Sequence, residues 1–98
     1  MERNKKQFKE SLTTAVFTTK FVINNNSSIT YVTHEENDGD WVFLSADEFE
    51  HFEDVVMIVG LGQILERDNS LLELADMPEG YCAERESKES KWVIRKNN

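Results

Sequence analysis

Apolar and polar residues alternate along short stretches of this chain, and turn-forming residues separate the stretches, a pattern that favours β-strands. Residues 15–23 and 29–34 flank the Asn/Ser segment 24–28, which predicts a hairpin with a five-residue loop. Residues 41–44 are all apolar and predict a short strand that is buried on both faces.

Helical signals begin directly after this strand. A capping-box spacing starts at Ser45 and predicts a helix that runs to Asp54. The β-branched run 55–59 predicts another strand, and an apolar stripe over residues 61–65 predicts a second helix. A further capping box starts at Ser70 and predicts a third helix.

The chain ends with two more β-rich runs, residues 81–86 and 91–95, which predict a second hairpin. This order of elements predicts an α+β fold, with a small, mostly antiparallel sheet and two to three short helices packed on it. A length of 98 residues fits one domain. We place a polar N-terminal segment, either a short helix or a tail, at residues 1–14 and a single α+β domain at residues 15–96.

The charge is distributed unevenly. The formal net charge is −8, but residues 21–80 carry −13 while residues 1–20 carry +3 and residues 81–98 carry +2. An acidic surface repels nucleic acid and anionic lipid and attracts a cationic protein. The carboxylates could equally form a solvated face that keeps the protein soluble. The candidate partner-binding residues are Asp38, Asp40, Asp47, Glu48, Glu50 and Asp54.

Residues that could perform catalysis are few and scattered. The two histidines, His34 and His51, form no metal-binding motif, and no histidine lies near Cys82 in the sequence. Asp38 and Asp40 flank a glycine as in part of a calcium loop, but the rest of the ligand pattern is missing. We therefore predict a protein that is not an enzyme, with no cofactor, no metal and no catalytic residues.

The cellular setting follows from the cysteine count and the apolar runs. A single cysteine permits no internal disulfide, and the first ten residues contain no apolar signal segment. No apolar run approaches the length of a membrane span. These features predict a cytoplasmic protein without membrane contact.

Two tryptophans and one arginine are candidates for a pocket. Trp41 is expected to be buried and Trp92 partly exposed on the last strand. Arg85 is expected to form a structural ion pair with an acid from the middle of the chain. The candidate pocket residues are Trp41, Arg85 and Trp92.

Several sequence blocks occur in a fixed order: DGDWVFLSADE at 38–48, DNSLLEL at 68–74, MPEGYCAER at 77–85, and then Trp92. Together they resemble the immunity-protein-33-like family of bacterial domains, and the resemblance covers roughly residues 15–94. The sequence departs from the family pattern at residues 34–37 and at Ala46, where a glycine is expected.

The resemblance implies a non-enzymatic α+β domain that neutralises a cognate toxin by binding it, and it offers no catalytic residues to transfer. With the acidic surface, it leads to the first hypothesis, a protein of immunity type whose partner is a basic toxin domain. The alternative is a stand-alone cytosolic domain that binds a small ligand or a housekeeping protein in a pocket near Trp41, Arg85 and Trp92. An enzyme that uses carboxylate pairs or a metal is the third hypothesis.

Overall fold

The computed structural model describes residues 6–97, and a six-stranded sheet organises this part of the chain. The sheet order is β4-β1-β3-β2-β5-β6, and among these strands β1 and β3 pair in parallel while the other neighbours are antiparallel. The predicted α+β class is confirmed. The strands are β1 (Ala15–Thr19), β2 (Tyr31–His34), β3 (Trp41–Leu44), β4 (Val56–Gly60), β5 (Tyr81–Glu84) and β6 (Val93–Lys96).

Four short helical elements join these strands. They are α1 (Lys20–Asn25), α2 (Leu61–Arg67) and the 3₁₀ helices Phe52–Asp54 and Asn69–Leu74.

The first predicted hairpin is wrong. β1 ends at Thr19, because the Thr19 side chain accepts a hydrogen bond from the Val22 amide at 3.4 Å and starts α1. The helix ends at Asn26, whose φ of 60° is the left-handed conformation that asparagine tolerates. The apolar residues of 20–23 thus belong to a helix that buries Val22, and β1 pairs with β3 and β4 rather than with β2.

The helix predicted from Ser45 to Asp54 is also wrong. Ser45 Oγ accepts from the Asp47 amide at 3.3 Å and donates to the Asp47 carboxylate at 2.7 Å. Such local bonds compete with helix formation, and the segment is irregular up to the 3₁₀ helix Phe52–Asp54. Phe49, which such a helix would bury at its helical spacing from Phe52, is 38% exposed.

The other predicted elements are confirmed, with one change of cap. The stripe over residues 61–65 is α2, in which Leu61 and Ile64 are buried. Asp68, rather than Ser70, caps the following 3₁₀ helix by accepting from the Ser70 amide at 3.0 Å. The last hairpin is the β5–β6 pair.

The two faces of the sheet have different environments. On the first face, Val16, Val32, Trp41, Phe43 and Ala83 form the core with buried residues of both α-helices and of the longer 3₁₀ helix. On the second face, Val42 and Leu44 are half-buried. The prediction that β3 is buried on both faces is therefore correct for the first face alone.

The N-terminal segment lies against the domain over residues 6–14, which contain no helix or strand. The Leu12 carbonyl accepts from the Gly62 amide at 2.8 Å, and the Thr14 carbonyl accepts from the Leu61 amide at 2.8 Å. Phe8 contacts the Trp41 ring edge-on, with 4.9 Å between centroids. The rest of the predicted segment, residues 1–5, lies outside the described residues.

Candidate functional site

The first group of candidate carboxylates lies in the loop between β2 and β3, residues 35–40, called here the first acidic loop. The Glu35 amide donates to the Asp40 carbonyl at 2.8 Å and closes the loop, in which Gly39 has a φ of +73°. Asp38 is exposed and Asp40 is half-buried. This loop therefore presents carboxylates at the Trp41 end of β3.

The second group lies beyond the other end of β3, in residues 45–54, called here the second acidic loop. Asp47, Glu48, Glu50 and Asp54 are all exposed there. Hydrogen bonds from Ser27 and Ser45 lower the pKa of the Asp47 carboxyl. A four-residue strand is about 13 Å long. The six candidate carboxylates thus form two groups at opposite ends of β3 rather than one patch.

Arg85, which directly follows β5, is held by a dense set of acceptors. Its guanidinium donates to the Ile29 carbonyl from Nε at 3.1 Å and from Nη2 at 2.8 Å. Nη1 donates to Ser70 Oγ at 3.0 Å and to the Lys88 carbonyl at 3.1 Å. Nη2 also forms a buried ion pair with Asp68, so the predicted structural ion pair is confirmed.

The charge state of the ion pair is set by its surroundings. Burial by itself would raise the pKa of the Asp68 carboxyl, but hydrogen bonds from Ser70 and Arg85, with the Arg85 charge, hold this pKa below its usual value. The half-buried Trp92 ring covers the guanidinium, with 4.1 Å from Arg85 Cζ to its centroid. Arg85 is thus saturated by the protein's own groups and acts as a structural clamp.

Trp41 belongs to a different cluster, at the other end of the strands. It is 2% exposed, and the His34 ring stacks on it with 3.9 Å between centroids. Its Nε1 donates to Glu10 Oε2 at 2.9 Å, while His34 Nδ1 hydrogen-bonds the Met77 carbonyl at 2.8 Å. The structure therefore brings together two of the three pocket candidates, Arg85 and Trp92, and places Trp41 apart from them.

Each cluster borders its own cleft. The cleft beside Trp41 has a volume of about 610 Å³ and is lined in part by Glu10, His34 and Glu79. The cleft beside Arg85 has a volume of about 580 Å³ and is lined in part by Tyr31.

Two of the residues that build these clusters were missed from the sequence. Asp68 carries a detectable local signal, because an aspartate side chain often accepts from the backbone amide two residues later, here that of Ser70. Glu10 lies thirty-one positions from Trp41, and nothing in the local sequence indicates their contact.

The remaining candidates for chemistry do not share one site: Cys82 pairs with Thr33, next to His34, but lies on the opposite face of the sheet from His34. Cys82 is buried in β5, His34 is buried under the cleft beside Trp41, and His51 is exposed. Within residues 6–97, no group of three or more His, Cys, Asp or Glu side chains is placed to hold a metal ion. Across the same residues, the helices are too short or too polar for any of them to cross a bilayer.

The family resemblance is supported by comparison with family models. The model described as the immunity protein Imm33 domain matches residues 16–96, which is most of the chain. Comparisons with curated proteins and with solved structures return no match.

Proposed function

The chain belongs to the Imm33 immunity protein family, and from this premise we propose that it neutralises a toxin by binding it through an acidic surface. Immunity proteins of this kind have a protein partner and are in general not catalysts. The proposed partner is a basic toxin domain, and the proposed place of binding is the cytoplasm. In this proposal the protein blocks the toxin by occupying its surface and forms no covalent bond with it.

The observation that supports the acidic surface is the exposure of its carboxylates. Of the six candidates, Asp40 is half-buried and the other five are exposed, in loops at the two ends of β3. These carboxylates are free to meet cationic side chains of a partner. Complementary charge of this kind accelerates association by one to three orders of magnitude at low salt.

The experiment measures binding of the purified protein to the product of the neighbouring gene, by stopped-flow kinetics at several salt concentrations. The test variant neutralises three exposed carboxylates of the second acidic loop, as Glu48→Gln, Glu50→Gln and Asp54→Asn. We expect association to slow by about tenfold at low salt and the difference to shrink at high salt.

The matched control neutralises three exposed carboxylates outside both loops: Glu66→Gln, Glu73→Gln and Glu89→Gln. It changes the net charge by the same amount, so it should slow association much less. Equal slowing in both variants would show that total charge, rather than the loop, attracts the partner. Absence of binding by the unmodified protein would refute the proposal.

The alternative function, binding of a small ligand, is favoured by one observation. Glu10 Oε1 is buried at the cleft beside Trp41 and has no hydrogen-bond donor within the described residues. A ligand with an N–H or O–H group could supply the missing donor. Titration of cationic metabolites, followed by Trp41 fluorescence, would reveal such a ligand, and a Glu10→Ala variant should lose the response.

A further inference from the structure

The second face of the sheet carries apolar side chains on five of its six strands, and on β5 the charged Glu84 lies between Tyr31 and Val93. The strand register places Phe17 beside Ile58 on one side and beside Val42 on the other. Because side chains alternate along a strand, Leu44 lies on the same face as Val42, and Tyr31 pairs with Leu44. In the same way, Val56 and Val93 complete this face at the two edge strands.

The two α-helices and the longer 3₁₀ helix pack on the opposite face of the sheet. The buried residues of α1, α2 and the 3₁₀ helix Asn69–Leu74 pack in the core, which contains sheet residues of the first face. On the second face, Ile58 is 62% exposed and Val93 is 59% exposed. We call this surface the open face, and it consists of Phe17, Tyr31, Val42, Leu44, Val56, Ile58 and Val93.

The two acidic loops lie at the two ends of the open face. At one end, Thr33, which is on this face, donates from Oγ1 to Glu35 at 3.1 Å, and the alternation from Val42 puts Asp40 on the same side. At the other end, the second acidic loop follows Leu44 directly. Carboxylates therefore border the apolar surface along the strand direction on both sides.

We propose that the open face is the centre of the toxin interface, and that the partner presents an apolar surface flanked by lysine or arginine side chains at both ends. This inference rests on the proposed function and names the surface that performs it. Protein interfaces have an apolar, desolvated centre inside a polar rim, which is the arrangement that the open face and the two loops form.

The dimensions agree with this arrangement. Six strands about 4.8 Å apart and about 13 Å long give a flat area of about 300 Å². A stable interface covers about 800 Å² on each partner, so the open face alone is too small and the flanking loops are needed.

Charge argues against a second copy of this chain as the occupant. Two open faces packed together, with strands parallel or antiparallel, would bring acidic loops of one copy against acidic loops of the other. Like charges so placed oppose association, whereas a cationic partner gains from both loops.

The experiment uses the full chain and the product of the neighbouring gene, with affinity measured by calorimetry. The test variant carries Val42→Thr and Ile58→Thr, which make the open face polar while keeping β-branched side chains that suit strands. The control is Ile94→Thr, because Ile94 is 45% exposed but pairs with Ala83 on the first face. Circular dichroism and thermal unfolding confirm that each variant is folded.

We expect the double variant to lose at least about tenfold in affinity and the control to bind like the unmodified protein. Equal binding by all three would overturn the role of the open face and leave the proposed function standing. An unmodified protein that binds no toxin would overturn both. A dimer in sedimentation that the double variant converts to a monomer would assign the open face to a second copy and refute the cationic partner.

Discussion

Replacing Arg85 with alanine removes a buried cation that ties β5 to two distant segments of the chain. The change breaks the ion pair with Asp68 and deprives the Ile29 carbonyl of two donors, at 3.1 and 2.8 Å. Asp68 is 8% exposed, so water cannot replace the lost charge without structural change. Removing one partner of a buried ion pair costs about 3–5 kcal/mol, because the other charge stays buried and unpaired.

This cost is large relative to the stability of the domain. A protein of 98 residues has a free energy of unfolding of about 5–15 kcal/mol. A loss of about 3 kcal/mol lowers the melting temperature of such a domain by at least about 12 °C. The measurement is urea unfolding followed by tryptophan fluorescence, which gives the free energy and confirms from the slope that unfolding remains two-state.

The matched control is a surface ion pair on the neighbouring hairpin strand. Arg95 contacts Glu84 at 3.0 Å, and the two side chains are 53% and 48% exposed. Such exposed pairs contribute under about 1 kcal/mol, so Arg95→Ala should change stability little. If Arg85→Ala cost no more than Arg95→Ala, Arg85 would not be the structural clamp described above. In an Asp68→Asn background the cost of Arg85→Ala should shrink, because the unpaired carboxylate is then absent.

Two further predictions concern pH and backbone conformation. The folded protein holds the Asp68 pKa below its unfolded value of about 3.9. As the pH falls from the unfolded pKa towards the folded one, the unfolded state binds more protons than the folded state, and the free energy of unfolding decreases. The stability advantage of the unmodified protein over Asp68→Asn, measured by urea unfolding, should therefore decline below about pH 4, and a constant difference would contradict the assignment. Gly80 has a φ of +88°, so Gly80→Ala should cost about 1 kcal/mol or more, and Gly80→Asn should cost less because asparagine tolerates positive φ. Thermal unfolding tests this, and equal losses would show that conformational strain is not the cause.

The sequence predicted the elements whose signals are local. β3 matches the apolar run at 41–44, and the β5–β6 hairpin follows from two β-rich runs around a polar turn. The secondary structure of the first half of the chain was harder to predict. Residues 20–23 continue the apolar and polar alternation of β1, although they form a helix. The cap at Thr19 and the left-handed conformation of Asn26 decide that this segment is a helix. In the sequence, both residues are equally compatible with a hairpin turn.

The candidate site was predicted in part, for a related reason. The exposure of five of the six candidate carboxylates follows from their polar, loop-like sequence, but their division between two loops depends on the orientation of β3. The open face could not be seen from the sequence. Its apolar residues come from five strands and are brought together by strand order, in which β1 lies between β3 and β4.

The position of β1 in the sheet also bears on how the protein is made. Among the six described strands β1 is translated first, and both of its neighbours, β3 and β4, are translated later. At about 5–20 residues per second, β1 waits on the order of seconds for them, and β5 with the Arg85 clamp comes later still. We therefore expect the sheet to be complete only after β5 and β6 are translated, so that a nascent chain interrupted before β5 lacks the Arg85 clamp to the Ile29 and Asp68 segments.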